Sequence, residues 1–197
     1  MLEGSINMDQ QRCGWVSTDP LYLAYHDTEW GIPRTDSQSL FEMLCLEGQQ
    51  AGLSWITVLK KRERYRHCFY HFDPVRVAKM GPDDIEILMQ DSGIIRHRGK
   101  IQAIITNAQA YLAMEANGED FSRFIWDFVD GEPKVNHWWC LAECPATTPT
   151  AEAMSKALKK RGFKFIGATI CYAFMQASGL VNDHLASCFC HPDNTVK

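Results

Sequence analysis

Each end of the chain carries a cysteine and a histidine: Cys13 with His26, and His184 with Cys188. Two thiolates and two imidazoles form a donor set suited to tetrahedral zinc, although neither pair has the short spacing of a zinc finger. His184 and Cys188 stand at i and i+4, so they are neighbours if that stretch is helical. A Cys2His2 site joining the termini is then available, with Cys190 and His191 as competing ligands in the same tail. A second feature is Glu47. It follows Leu44 by three residues and Leu40 by seven, on the apolar stripe of a helical segment. An inward carboxylate is costly without a partner, which points to a ligand. The third feature is a density of aromatic rings: Trp15, Tyr22, Tyr25, Trp30 and Trp55. Tyr22 and Trp30 read as core by default, whereas Tyr25, Trp15 and Trp55 adjoin polar or glycine-rich stretches and can line a pocket that stacks on a planar, electron-poor ring.

These residues need a scaffold, and 197 residues with 46% hydrophobic content can bury one sizeable core. There is no run of about 18 or more apolar residues, and the first thirty residues lack the charged-then-apolar order of a secretory signal. A cytoplasmic monomer is expected, in which the eight cysteines serve as thiols or metal ligands and not as disulfides. Residues 1–7 (MLEGSIN) carry no pattern and are expected to be a leader or disordered extension outside a single domain spanning 8–197. The net charge of −4 argues against a general nucleic-acid binder, but 13 of the 20 Lys and Arg residues fall within 60–66, 96–100 and 156–164, opposed there only by Glu63. One such stretch reads as a solvated helix end; three together suggest an electrostatic footprint for a phosphate backbone.

The elements read as helices joined by short turns, with no alternating strand run, so the fold class is all-α. Asp36 or Ser37 caps a helix reaching about Gln50, with Leu40, Phe41, Leu44 and Cys45 inward and Met43 at the edge. Further helices are expected from Trp55 to Arg62, from Pro74, and from Pro82 with Ile85, Leu88 and Met89 inward. A long one carries Ile101, Ile104, Ile105, Ala108 and Leu112, and others cover 121–129, 151–161 and 167–178. In the intervening segment 92–101, Gly93 falls where a helix end favours a left-handed residue. Residues 131–149, with three prolines, form the longest irregular connection.

Several contiguous stretches carry a specific resemblance: Cys13-Gly14-Trp15, Tyr25 to Gly31, LEGQQAGLSWITVLKK from Leu46 to Lys61, Gly93 to Ile105, Ser155 to Phe165, and Leu180 to His184. Over about residues 12–193 the chain closely resembles the bacterial 3-methyladenine DNA glycosylase I family. The resemblance implies a helix-hairpin-helix fold with a zinc-bearing lobe built from the two termini, ligated by Cys13, His26, His184 and Cys188 and not by Cys190 or His191. It implies a base pocket of Glu47, Tyr25 and Trp55, with Trp15, Tyr22 and Trp30 nearby. The hairpin would fall at about 92–101, where Gly93, Arg98 and Lys100 would contact phosphate, and Leu53 would be a wedge into the base stack. Double-stranded DNA would be the partner and free 3-methyladenine the product. Related glycosylases place an Asp shortly after the hairpin, whereas Ala108 to Ala116 offers only Glu115.

The substrate explains why such an acid is dispensable. Methylation at N3 makes the base cationic, so its departure neutralises it without prior protonation. Flipping, recognition of the charged base and stabilisation of an oxocarbenium-like sugar until water attacks would suffice, with Glu47 as the central residue. Cation–π attraction would favour the charged base. A non-enzymatic DNA-binding module would leave Glu47 and the aromatics idle. A zinc deaminase reading, with His26 and Glu29 as ligand and base, lacks the H-x-E and P-C-x-x-C pattern.

Overall fold

The computed structural model describes residues 9–195, so the expected leader over 1–7 lies outside the described residues. The regular structure of the described chain is almost entirely helical. In order it forms α1 (Pro20–Thr28), α2 (Ser37–Gln50), α3 (Trp55–Leu59), α4 (Arg62–Cys68), α5 (Pro74–Val77), α6 (Pro82–Leu88), α7 (Arg98–Ala116), α8 (Phe121–Trp126), α9 (Pro149–Lys160) and α10 (Ala168–Ala177). Local chemistry sets many of the starts. Asp19, Asp36, Asp120 and Thr148 cap α1, α2, α8 and α9 through their side-chain oxygens, and Pro20, Pro74, Pro82 and Pro149 occupy first-turn positions where no amide hydrogen is needed.

Helix α2 is the axis of the molecule. Leu40, Phe41, Met43, Leu44, Cys45 and Leu46 are all buried, with α7, α8 and α10 packed around them. Met43, expected at the edge, is therefore core. The helix expected over Trp55 to Arg62 is broken at Lys60 and Lys61, where the Lys61 amide turns back to the Val58 carbonyl at 2.9 Å. The break lets Arg62 reach Glu29 with two bonds of 2.6 and 2.8 Å, and Arg34 adds a third contact at 3.2 Å. A half-buried ion triad thus accompanies the break in helical continuity. Within 131–149 the chain pairs Lys134–Val135 in parallel with Val181–Asn182, which threads this connection beside the C-terminal segment.

Gly93 does not take the left-handed position expected of it. A Cβ there would stand 2.6 Å from Arg64 Cγ and 3.0 Å from Asp91 Oδ1, while its amide donates to Asp91 at 2.8 Å. Its requirement is close approach, not an unusual φ. Lys100 also departs from expectation. Its amino group is buried and donates to the Gln49 and Ala51 carbonyls at 2.8 and 2.5 Å. It satisfies the C-terminal carbonyls of α2 and is unavailable to a phosphate.

Candidate active site and metal centre

The two termini meet where the Cys/His pairs lie. The ligand atoms of Cys13, His26, His184 and Cys188 fall within 4.8 Å of one another, and all four residues are buried. Sulfur-to-nitrogen separations are 3.5 Å for Cys13–His184, 3.5 Å for Cys188–His184 and 3.6 Å for Cys188–His26. Bonds of about 2.3 Å to sulfur and about 2.0 Å to nitrogen give a tetrahedral edge of about 3.5 Å, so the cluster has the size of an occupied zinc site. The outer nitrogens are tied as in metal centres: His26 Nδ1 meets Asp27 at 2.8 Å and His184 Nε2 meets the Trp30 carbonyl at 3.0 Å. Hydrogen bonding from Cys13, then from Cys190 and the two histidines, draws Cys188 toward thiolate.

Residues 184–188 form turns and not the helix that the i, i+4 spacing suggested. Adjacency comes instead from the Cys188 amide bonding to the Leu185 carbonyl at 2.7 Å. Cys190 lies outside the four-residue group, its amide donating to Cys188 Sγ at 3.4 Å. His191 faces away, with Nε2 against the Asn136 carbonyl at 3.0 Å and Nδ1 accepting from Asp193. The four-residue group can hold a metal ion without either competitor.

Next to this cluster lies a cavity of about 210 Å³ whose lining includes Trp15, Tyr22, Tyr25, Trp30, Glu47 and Trp55. All six residues expected to form a base pocket are thus brought together. Trp15 and Trp30 are shared with the metal cluster: Trp15 packs edge-on to His26 at 5.2 Å, and Trp30 lies perpendicular to His184 at 4.7 Å. Tyr25 and Trp55 stand 5.5 Å apart on another wall. Glu47 is only 4% exposed and makes no hydrogen bond to a described residue. Burial pushes its carboxyl up to about 8, because desolvation disfavours the ionised form. The Trp55 indole N–H is likewise buried without a partner. A buried carboxyl that has no hydrogen-bond partner among the described residues and lines an aromatic-walled cavity fits a site completed by a flat polar ligand.

The cavity also includes Gln50, Cys144, Gln176 and Asp183, which the sequence reading missed. Gln176 comes from α10 and Cys144 from the irregular connection, and no spacing rule relates either to Glu47. Asp183 had a local signal, being adjacent to His184.

The basic stretches differ in their fates. In 60–66, Lys60 pairs with Asp19, Arg62 with Glu29, Arg64 with Asp91 and Arg66 with Glu42, while Lys61 bonds the Ser92 carbonyl. In 96–100, Arg98 is exposed but paired with Glu86 through bonds of 2.6 and 2.9 Å. In 156–164 only Arg161 is paired, with Glu119. Lys156, Lys159, Lys160 and Lys164 are exposed and form no ion pair among the described residues. Leu53 is 39% exposed, in a turn where Gly52 takes φ 77° and Gln50 bonds the Leu53 carbonyl at 2.8 Å. It is therefore not core.

The model of the methyladenine glycosylase family matches residues 15–191. The chain is 68% identical over 184 residues to DNA-3-methyladenine glycosylase 1 of Escherichia coli strain K12, covering 93% of this chain and 98% of that protein. Among solved structures, a 3-methyladenine DNA glycosylase I superposes with TM-score 0.92 at 68% identity, over 92% of this chain and 100% of the other. A Staphylococcus aureus 3-methyladenine DNA glycosylase I, whose structure describes recognition of 3-methyladenine, superposes at 0.87 with 43% identity, over 94% and 97%. With a family model spanning its cavity residues and three of the four cluster residues, and a relative alike over nearly its whole length, this chain belongs to the methyladenine glycosylase family.

Proposed function

We propose that the protein excises 3-methyladenine from alkylated duplex DNA by hydrolysing its N-glycosidic bond. The observation that carries this reading is Glu47: a buried carboxyl without a hydrogen-bond partner, facing an aromatic-walled cavity. A cationic methylated base supplies the charge that this carboxyl lacks. Entry of the base favours the ionised acid, and the base's amino hydrogens find an acceptor. Rings of Tyr25 and Trp55 contact the π system of the cation. Normal adenine brings no charge to offset the burial of a carboxylate and is bound less well. Because the methylated base leaves as a neutral molecule, protonation is not required. The enzyme acts by holding the flipped nucleotide in a dry, electron-rich site while the sugar develops positive charge.

The Cys2His2 cluster fits zinc in donor set and size. With all four positions filled by protein, a bound zinc would be structural. Its role would be to fix Trp15 and Trp30 as walls of the pocket, through the contacts described above.

For the DNA-binding face, α9 and α10 provide a better helix-hairpin-helix than residues 92–101. These helices pack along each other, their connection over 161–167 is short, and the unpaired lysines gather there. This loop packs against α2 one residue beyond Glu47: the Phe165 carbonyl lies 3.1 Å from where a Cβ on Gly48 would stand. Backbone phosphates would contact Lys159, Lys160 and Lys164, with Arg98 contributing only by giving up Glu86. Leu53, exposed one turn from the Gln50 wall, is placed to enter the stack as the nucleotide leaves it.

Release of free base from methylated duplex DNA, compared between wild type and Glu47→Ala, tests the proposal. Wild-type release that is largely lost in the variant supports it. Duplex binding without any base release by the wild type would indicate a binding module instead.

A further inference from the structure

Gln176 lines the cavity from α10, and the orientation of its amide is fixed by what lies behind it. Its Nε2 donates to Asp183 Oδ2 at 2.8 Å and lies 3.5 Å from Cys144 Sγ. The buried Asp183 carboxylate also accepts from the Tyr172 hydroxyl, from Asn136 Nδ2 at 2.7 Å, from Trp138 Nε1 at 3.0 Å and from the Cys144 thiol at 3.5 Å. Every group around Asp183 is a donor, so Gln176 must present its NH2 to it. A flipped amide would set a carbonyl oxygen against a carboxylate. The Gln176 Oε1 is thereby directed away from Asp183, and it accepts no hydrogen bond from a described residue. The cavity is the space that remains to it.

We infer that Gln176, its amide locked by Asp183, is a second acceptor beside Glu47 for the exocyclic amino group of the bound base, selecting a 6-amino over a 6-oxo purine. This inference rests on the base-excision reading above. A 6-amino group carries two hydrogens and can satisfy two acceptors. A 6-oxo purine places a third acceptor in the same region and leaves buried groups unpaired. A glutamine free to rotate would serve either base, because it could turn its NH2 toward an oxo group. Asp183 removes that choice, so it is a positioning residue and Gln176 the specificity residue.

The test is the ratio of 3-methyladenine to 3-methylguanine released from the same methylated duplex DNA by wild type and by Gln176→Met, which keeps length but loses the acceptor. The ratio should fall about tenfold, the equivalent of one buried hydrogen bond of about 1.4 kcal/mol. It should fall through slower release of 3-methyladenine alone. Asp183→Asn, which offers Gln176 a donor and so permits the flip, should move the ratio in the same direction. An unchanged ratio in Gln176→Met, whether or not both rates decline together, overturns the inference. If that variant does not fold, wild-type inhibition decides: free 3-methyladenine should inhibit at least about tenfold more strongly than free 3-methylhypoxanthine, and equal inhibition overturns the inference. A wild type that releases no 3-methyladenine would instead sink the excision reading.

Discussion

At the scale of a single residue, Glu47 shows how a buried carboxyl can weaken the fold that holds it. Its carboxyl is pushed up to about 8 because burial penalises the ionised form. The folded state therefore prefers the acid. Its contribution to stability is fully present below the ordinary pKa of about 4.5 and is lost as pH rises through about 8. Glu47→Gln removes this titration at nearly constant volume. The variant should melt above wild type by a margin that widens between about pH 5 and pH 9, and it should lose most base release. Parallel melting curves across that range would show that Glu47 is not desolvated in solution. Leu53 makes the second residue-scale prediction. Leu53→Ala should slow excision from duplex DNA while leaving inhibition by free 3-methyladenine unchanged, since only the duplex has a stack to enter. Equal excision rates would remove the wedge.

At the scale of elements, the end of α2 and the α9–α10 pair divide the basic residues into two kinds. Lys100 terminates α2 and is locked further by Gln49, which bonds the Lys100 carbonyl at 3.1 Å and accepts from Tyr65 at 3.2 Å. Lys100→Met should destabilise the protein by roughly 1–3 kcal/mol in a denaturant titration, because two carbonyls lose their donor. Its effect on the salt dependence of duplex binding should be nil. Lys164→Ala should do the reverse, leaving stability within about 0.5 kcal/mol of wild type and reducing the slope of log affinity against log salt by about 1. An unchanged slope would remove the α9–α10 loop from the DNA-binding face.

At the scale of the whole molecule, the Cys2His2 cluster joins segments more than 150 residues apart and shares Trp15 and Trp30 with the cavity. Metal removal should therefore act on binding as well as on folding. Chelation is expected to release about one zinc per chain, to speed proteolysis near both termini, and to abolish inhibition by free 3-methyladenine even where the helical core over α2, α7 and α10 survives. Chelated protein with wild-type inhibition would mean that the pocket walls stand without the metal.

Helix periodicity, proline and capping residues were legible in the sequence because each depends on neighbours within a turn or two: α2 begins at Ser37 and ends at Gln50 as the pattern requires. Glu47 was legible for the same reason, as a charge on an apolar stripe. The six cavity residues and the four Cys and His residues of the buried cluster were legible as residue types, though not as neighbours. Tertiary structure decided what local pattern does not encode. It placed Lys100 under the end of α2, consumed the basic residues of 60–66 in ion pairs and, for Lys61, in a bond to the Ser92 carbonyl, and turned Gly93 into a point of close contact with Arg64. It also brought Gln176 and Asp183 behind the cavity. A charge in sequence is free until the fold provides it with a partner, and partners 33 and 51 residues away, as Glu29 is from Arg62 and Gln49 from Lys100, are set by packing and not by spacing.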